Sequence, residues 1–99
     1  MSLERVMKFL SKLGLTESDA EVYTLIAAKG PIEAKETAAT LCMERIRFYA
    51  TIKRLANNGL IKITSKPSVY LTAVDFEDVI NSYLILMRES AQDLENNRI

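Results

Sequence analysis

The chain opens with two stretches in which apolar residues recur every three or four positions, the spacing of one helix face. The first stretch consists of Leu3, Val6, Met7, Leu10 and Leu13. Because Gly14 follows as a stop signal, this pattern predicts a helix over residues 3–13. The second stretch follows Thr16, a good N-cap residue, and continues to the strong terminator Gly30-Pro31. A second helix is therefore expected between them.

Two helices joined by a tight turn are predicted next, over residues 33–41 and about 44–58. The short helix directs three apolar residues inward, namely Ala34, Ala38 and Leu41. Helices that cross steeply need small residues at their contact, and Ala38 and Cys42 would supply them. Cys42 is therefore expected to be a small buried residue rather than a redox or metal site.

A two-stranded wing and a last helix complete the pattern. Residues 60–64 and 69–73 alternate apolar and polar positions around a turn-forming segment at 65–68. Asp75 is placed to cap a helix over about residues 76–96. The expected fold class is mainly α with a small β-hairpin, a winged helix-turn-helix with an extra long C-terminal helix.

Charge is distributed unevenly along a chain whose formal net charge is zero. Residues 42–66 carry six lysines and arginines against one glutamate, a net charge of +5. Residues 74–99 carry two arginines against six acids, a net charge of −4. A basic helix followed by a basic hairpin is typical of a surface that binds duplex DNA, because each neutralised phosphate releases condensed counterions.

Other function classes find little support in the composition. The chain has no histidine, one cysteine and no glycine-rich phosphate loop, so we expect neither an enzyme nor a metal site or cofactor. One cysteine cannot form an internal disulfide and nothing resembles a signal peptide, which indicates a cytoplasmic location. The longest apolar run, residues 83–87, is far shorter than the ~20 residues that span a bilayer, so no membrane role is expected.

A series of short motifs follows a fixed order between residues 10 and 78. They are Leu13-Gly14-Leu15-Thr16-Glu17 with Ala20, Val22 and Tyr23, then Gly30-Pro31, Glu36 with Ala38, Arg45 with Tyr49, Lys53-Arg54-Leu55, Gly59-Leu60, and Pro67 with Tyr70. This set resembles the N-terminal domain of TrmB-type transcriptional regulators, a mostly archaeal family of winged helix-turn-helix proteins. The resemblance implies sequence-specific binding of promoter DNA by dimers, with the second helix of the motif in the major groove.

The chain departs from the family pattern at two positions. Thr37 stands where the family usually has an apolar residue, and Cys42 replaces a usual glycine. The chain also ends before the sugar-binding domain that longer members carry, so no small-molecule effector is expected.

The long helix is expected to distinguish one base sequence from another. A rotation of about 100° per residue places Phe48, Ile52 and Leu55 on its core side, with Thr51 at the edge. The N-terminal part of the opposite face would reach base edges in the major groove. The candidate base-reading residues are Arg45, Ile46, Arg47, Tyr49 and Ala50. Among them Arg47 is best placed to form two hydrogen bonds with a guanine.

Five further residues are expected to contact the DNA backbone, namely Lys53, Arg54, Lys62, Ser65 and Lys66. Some alternatives stay open. Arg45 and Arg47 could be solvated surface, and Lys62 could instead protect an edge strand from aggregation. Tyr49 could pack against the wing or bind phosphate, and Tyr70 could flank DNA or pack against the long helix.

The last helix is apolar on more sides than one neighbour can cover, because Ile85 and Leu86 widen its apolar stripe. A second copy of the chain would cover it in a two-fold dimer. The expected interface residues are Ile80, Tyr83, Leu84, Met87, Ala91 and Leu94. The alternative is that this helix only closes the monomer core. The chain is expected to be one domain over residues 1–99, with a DNA-binding core at 1–75 and a dimerisation helix at 76–97.

These observations favour a homodimeric regulator that binds specific duplex sequences. Residues 44–58 would lie in the major groove, and the wing at 60–73 would lie on the backbone or in the minor groove. Two alternatives remain. A winged-helix module that binds protein would fit the neutral net charge, whereas an architectural chromatin protein would be expected to contain more lysine.

Overall fold

The computed structural model describes residues 3–65 and 67–96, with side chains up to Ser90. Within that part of the chain it contains five α-helices and one three-stranded antiparallel sheet. The helices are α1 (Leu3–Lys12), α2 (Glu17–Lys29), α3 (Ala34–Thr40), α4 (Arg45–Asn57) and α5 (Phe76–Asn96). The strands are β1 (Ile32–Glu33), β2 (Ile61–Thr64) and β3 (Tyr70–Ala73). The predicted winged helix-turn-helix with a long C-terminal helix is confirmed.

The two predicted N-caps, Thr16 and Asp75, are confirmed by their hydrogen bonds. At the start of α2, the Thr16 hydroxyl accepts from the Asp19 backbone N–H at 3.2 Å, and the Asp19 carboxylate accepts from the Thr16 N–H at 2.9 Å. This reciprocal arrangement is a capping box, which satisfies two otherwise unpaired donors. At the start of α5, Asp75 Oδ1 accepts from the Glu77 backbone N–H at 2.9 Å.

The sheet has one strand more than the predicted hairpin. β2 pairs with β3 as expected, with Ile63 opposite Leu71. On the other side of β3 lies β1, where Ile32 is opposite Leu71 and Glu33 is opposite Tyr70. A strand of two residues is too short to show an alternating pattern, so the sequence placed Glu33 in the following helix. Glu33 instead adopts a strand conformation because it pairs with Tyr70 of β3.

The core is formed by α1, α2, the inner side of α4 and the sheet. The prediction for α4 is confirmed, because Phe48, Ile52 and Leu55 are all buried. Thr51, expected at the edge, is buried too, and its hydroxyl donates to the Arg47 carbonyl at 3.0 Å.

Thr37 of α3, which stands where an apolar residue was expected, is also fully buried. Its hydroxyl donates to the Glu33 carbonyl at 2.9 Å, so the substitution leaves no unpaired donor there.

Cys42 does not occupy the position predicted for it. Its side chain is exposed rather than packed between α3 and α4, where Ala38 is half-buried. Its backbone has φ +52°, in the left-handed region. The Met43 N–H donates to the Ala38 carbonyl at 3.1 Å, and the Cys42 N–H donates to the Ala39 carbonyl at 3.2 Å. This is a Schellman helix end, in which the residue at Cys42 must have positive φ and its side chain points outward.

Among the described side chains of α5, which end at Ser90, those of the first two turns pack most closely against the rest of the protein. Phe76 and Val79 are buried, and the Phe9 ring of α1 meets the rings of Phe76 and Tyr83 edge to face, each at 5.5 Å between centroids. Beyond Tyr83 the apolar side chains of Leu84, Ile85, Leu86 and Met87 are all more than half exposed. The helix therefore extends past the core of its own chain.

Candidate nucleic-acid interface

The outer side of α4 is a continuous exposed face with a strong positive charge. We call it the basic face, and it consists of Arg45, Ile46, Arg47, Tyr49, Ala50, Lys53 and Arg54, all exposed. The structure thus brings together on one helix side all five predicted base-reading residues and two of the predicted backbone contacts. No acidic side chain occurs in α4 itself, over residues 45–57.

The charge at the start of α4 is the reverse of what helix stability favours. Anions near a helix N-terminus are stabilising, since the macrodipole is positive there. α2 follows this rule with Glu17 and Asp19, but the first turn of α4 contains no acid and instead begins with Arg45. Glu44, the N-cap residue, makes no side-chain capping hydrogen bond. A helix leaves its first N–H groups without intrahelical partners, and together with the exposed arginines this makes the start of α4 suited to an anionic partner.

Arg45 and Tyr49 interact on one flank of the basic face. The Arg45 guanidinium lies over the Tyr49 ring, 5.9 Å from its centroid, and that ring meets the buried Phe48 ring edge to face at 5.8 Å. Tyr49 also lines a groove of about 270 Å³ between α3 and the wing, together with Lys35, Ser68 and Val69. It is therefore positioned beside the wing while still 41% exposed.

Arg47 and Arg54 lie on the opposite flank and contact the first turn of α2. Arg54 Nη2 donates to Asp19 Oδ1 at 2.9 Å and to Thr51 Oγ1 at 3.1 Å. Arg47 Nη2 makes a longer contact with Ser18 Oγ, at 3.4 Å. Arg47 and Arg54 are seven positions apart, about two helical turns. These two contacts attach α4 to α2 at both ends of the basic face.

The Asp19 carboxylate is an unusual partner for an exposed arginine, because only 1% of its side chain is exposed whereas 48% of the Arg54 side chain is exposed. Burial by itself raises the pKa of Asp19. The hydrogen bonds and positive charge of Arg54, with the hydrogen bonds from Thr16, outweigh burial and leave the pKa of Asp19 below its usual value. Asp19 is therefore a carboxylate anion at neutral pH.

The contacts of Ser18 and Asp19 were not predicted from the sequence. Asp19 was recognised only as an acid in a first helical turn, and its partner Arg54 is 35 positions away. No local pattern in the sequence indicates that pair. The contact of Arg54 with the DNA backbone stays a prediction. Its Nη2 atom already donates to Asp19 and Thr51, so the other guanidinium nitrogens would make that contact.

The wing presents part of the predicted backbone-contacting set. Lys62 and Ser65 are exposed, and Lys62 lies opposite Thr72 in the outer strand β2. Lys66 lies outside the described residues. Tyr70 is 38% exposed and lies between Thr64 and Glu33 in the sheet register. The exposed Lys62 side chain is therefore compatible with both roles predicted for it, contact with the DNA backbone and protection of an edge strand from aggregation.

The predicted dimer residues divide into two groups. Ile80 and Tyr83 are half-buried by their own chain, whereas Leu84 and Met87 are each 53% exposed. The side chains of Ala91 and Leu94 lie outside the described residues. An exposed run of large apolar side chains on a helix is typical of a surface that binds another protein.

The described residues contain neither a membrane-spanning helix nor a metal-binding cluster. Over residues 3–65 and 67–96, no helix is long and apolar enough to cross a membrane. Over the same residues, no cluster of three or more histidine, cysteine, aspartate or glutamate side chains could hold a metal ion.

Comparison with known proteins places the chain among transcription regulators. A search of curated proteins found no match. A solved structure described as a transcriptional regulator of the MarR family from Rhodococcus sp. RHA1 aligns with a TM-score of 0.61 at 18% identity, covering 97% of this chain and 86% of that chain. This likeness shows the winged-helix fold.

The match to a protein family indicates the role of the chain as well as its fold. Residues 10–77 match the family described as "Sugar-specific transcriptional regulator TrmB", which is most of the chain and includes α2, the helix-turn-helix and the wing. Both of these families consist of transcriptional regulators and not of enzymes. The chain belongs to the TrmB family and is a transcriptional regulator with a winged-helix DNA-binding domain.

Proposed function

We propose that the protein binds specific duplex DNA sequences as a homodimer, with α4 in the major groove. The observation that carries this proposal is the basic face, where seven exposed residues without an acid begin at a helix N-terminus. Cations placed there lower the stability of the isolated helix, and phosphate or base-edge acceptors reverse that cost. The cytoplasmic location proposed from the single cysteine is compatible with binding DNA.

The residues of the basic face divide by their distance from the helix start. Arg45, Ile46, Arg47, Tyr49 and Ala50 lie in the first two turns and contact base edges, as in helix-turn-helix docking. Lys53 and Arg54 follow one turn later and contact phosphate. The wing adds Lys62, Ser65 and Lys66 on the backbone or in the minor groove. Base edges carry the sequence information, whereas phosphates supply affinity that any sequence can provide.

The dimer is formed by α5, so that residues 1–75 bind DNA and residues 76–97 hold two copies together. Leu84, Ile85, Leu86 and Met87 are each more than half exposed in their own chain, so a second surface would bury them. In the sequence, Leu84, Met87, Ala91 and Leu94 follow one another at spacings of three and four, the pattern of a two-helix seam. A two-fold axis through this seam gives each copy the same interface.

Affinity measured over a salt series tests the proposal. Log affinity for a selected site should fall linearly with log salt, with a slope set by the number of phosphates contacted. Arg47→Ala should weaken the selected site far more than random duplex, whereas Lys53→Ala should weaken both about equally and reduce the slope by about one.

Two results would contradict the proposal and point to the alternatives. Binding of duplex DNA that does not depend on salt, or no binding near physiological ionic strength, would indicate a module that binds protein. Equal affinity for selected and random duplex would indicate an architectural protein instead.

A further inference from the structure

Ile46 is the most exposed large apolar residue of the described chain, with 77% of its surface accessible. It lies in the first turn of α4, one residue after the helix begins. Because the Ile46 side chain is exposed to solvent at the start of a charged helix face, it does not contribute to the core. Ile46 would therefore fit a partner surface that has one apolar group surrounded by anionic groups.

The helix geometry puts Ile46 at the middle of the basic face. Leu55 is completely buried, and it is nine positions further along α4. At about 100° per residue, nine positions amount to two and a half turns, so Ile46 and Leu55 point in opposite directions from the helix axis. Ile46 thus projects directly away from the core.

The two arginines beside Ile46 are held to either side of it. The Arg45 guanidinium lies over the Tyr49 ring at 5.9 Å, and Arg47 Nη2 lies 3.4 Å from Ser18 Oγ on α2. The residue one turn later on the same line is Ala50, which is exposed and too small to cover Ile46. In the first two turns of α4 the middle of the basic face is therefore apolar and its flanks are cationic, and Lys53 adds a cation on the same line seven positions after Ile46.

The major groove of DNA offers one apolar group that fits this pattern. The C5 methyl of thymine projects into that groove among hydrogen-bond acceptors, and apolar side chains recognise it by contact. We infer that Ile46 packs against the C5 methyl group of a thymine in each half-site of the operator. This inference rests on the proposed binding of duplex DNA and adds the identity of one base to it.

Substitution of thymine by deoxyuridine tests the inference, since it removes only that methyl group. Each thymine of a site selected from random duplex is replaced singly, in synthetic DNA, and affinity is measured at constant salt. The protein should lose about fourfold in affinity at one thymine per half-site, the size expected for one buried methyl group. Ile46→Ala should bind the thymine and the uracil versions of that position equally well.

Ile46→Val is the matched control, because it keeps a branched apolar side chain and should still prefer thymine. Both variants should fold like the parent, since the side chain is exposed, and thermal unfolding checks this. The inference is overturned if the parent protein binds its selected site specifically yet tolerates uracil at every position. It is also overturned if Ile46→Ala keeps the same penalty for uracil. Failure of salt-dependent duplex binding by the parent would instead refute the proposed function.

Discussion

Arg54 of α4 donates a hydrogen bond of 2.9 Å to the buried carboxylate of Asp19 in the first turn of α2. The same carboxylate accepts from the Thr16 backbone N–H, so one side chain both caps α2 and holds α4. The orientation of the basic face therefore depends on a residue that does not belong to it. Because Arg54 is itself half exposed, solvent weakens the charge interaction but leaves the buried carboxylate dependent on its partners.

We expect Asp19→Asn to lower the free energy of unfolding by about 1 to 2 kcal/mol at neutral pH, since a charge-assisted hydrogen bond becomes a neutral one. Arg54→Met keeps the apolar stem and removes the charge. In a double-mutant cycle followed by urea unfolding, the two substitutions should be less than additive. Additive losses would mean that the two side chains stabilise the protein independently.

The same pair predicts a pH dependence in acid. The pKa of Asp19 in the folded protein lies below its unfolded value, so its contribution to stability is present above about pH 4 and is lost as pH falls further. Urea midpoints measured between pH 7 and pH 3 should therefore fall more steeply for the parent protein than for Asp19→Asn. Parallel curves for the two proteins would exclude this origin of acid sensitivity.

Tyr23 predicts a second pH dependence at the alkaline end. Burial, together with the negative charge of Asp75, raises the pKa of Tyr23 to about 12, and its hydroxyl donates to the Val74 carbonyl at 2.7 Å. A raised pKa means that its contribution is complete below about pH 10 and is lost as pH rises towards 12. Tyr23→Phe should cost about 1 kcal/mol at pH 8 and lose less stability than the parent above pH 10.

Cys42→Gly should stabilise the protein by up to about 1 kcal/mol. Glycine removes the cost of a left-handed backbone at φ +52°, and part of that gain is offset because glycine adds freedom to the unfolded chain. Gly59→Ala is the reverse control, with φ +74° and nothing within 4 Å of the added Cβ, and should be destabilising. Thermal unfolding compares them. A destabilised Cys42→Gly protein would contradict the prediction and would mean that the strain at φ +52° is smaller than the entropy that glycine adds to the unfolded chain.

Met87→Glu should weaken the dimer by at least about 2 kcal/mol, or roughly thirtyfold in dissociation constant, because a charge on the seam is buried unpaired or holds the helices apart. Glu89→Lys, two positions away and exposed, is the control and should leave the dimer intact. Sedimentation at micromolar concentration measures both. A monomeric parent protein would remove the basis for this interface.

The proposed dimer and the basic face together predict the arrangement of the operator. Two copies of α4 related by a two-fold axis require a pseudo-palindrome with half-sites about one helical turn or a small multiple apart, ~10 bp per turn. Insertion of ~5 bp turns one half-site to the opposite side of the duplex, so binding should drop to that of a single half-site. Footprinting that still protects both halves after insertion would rule out a rigid symmetric dimer.

Features that depend on neighbouring residues could be predicted from the sequence. Periodicity placed Phe48, Ile52 and Leu55 in the core and the charged residues of α4 outside, because a side chain's direction on a helix follows from its position. The caps at Thr16 and Asp75 were also predictable, since a cap and the N–H groups it satisfies lie within three residues of each other.

Features that depend on residues far apart in the sequence became visible in the folded structure alone. Ile32 is part of a strand because it pairs with Leu71. Asp19 is a buried anion because Arg54, 35 positions away in the sequence, donates a hydrogen bond to its carboxylate. Cys42 is a different case, because it was expected inside and lies outside for a local reason: the helix end gives this position a positive φ and an outward side chain. Contacts between remote segments leave no local pattern in a sequence, since their energy is realised only when the chain has folded.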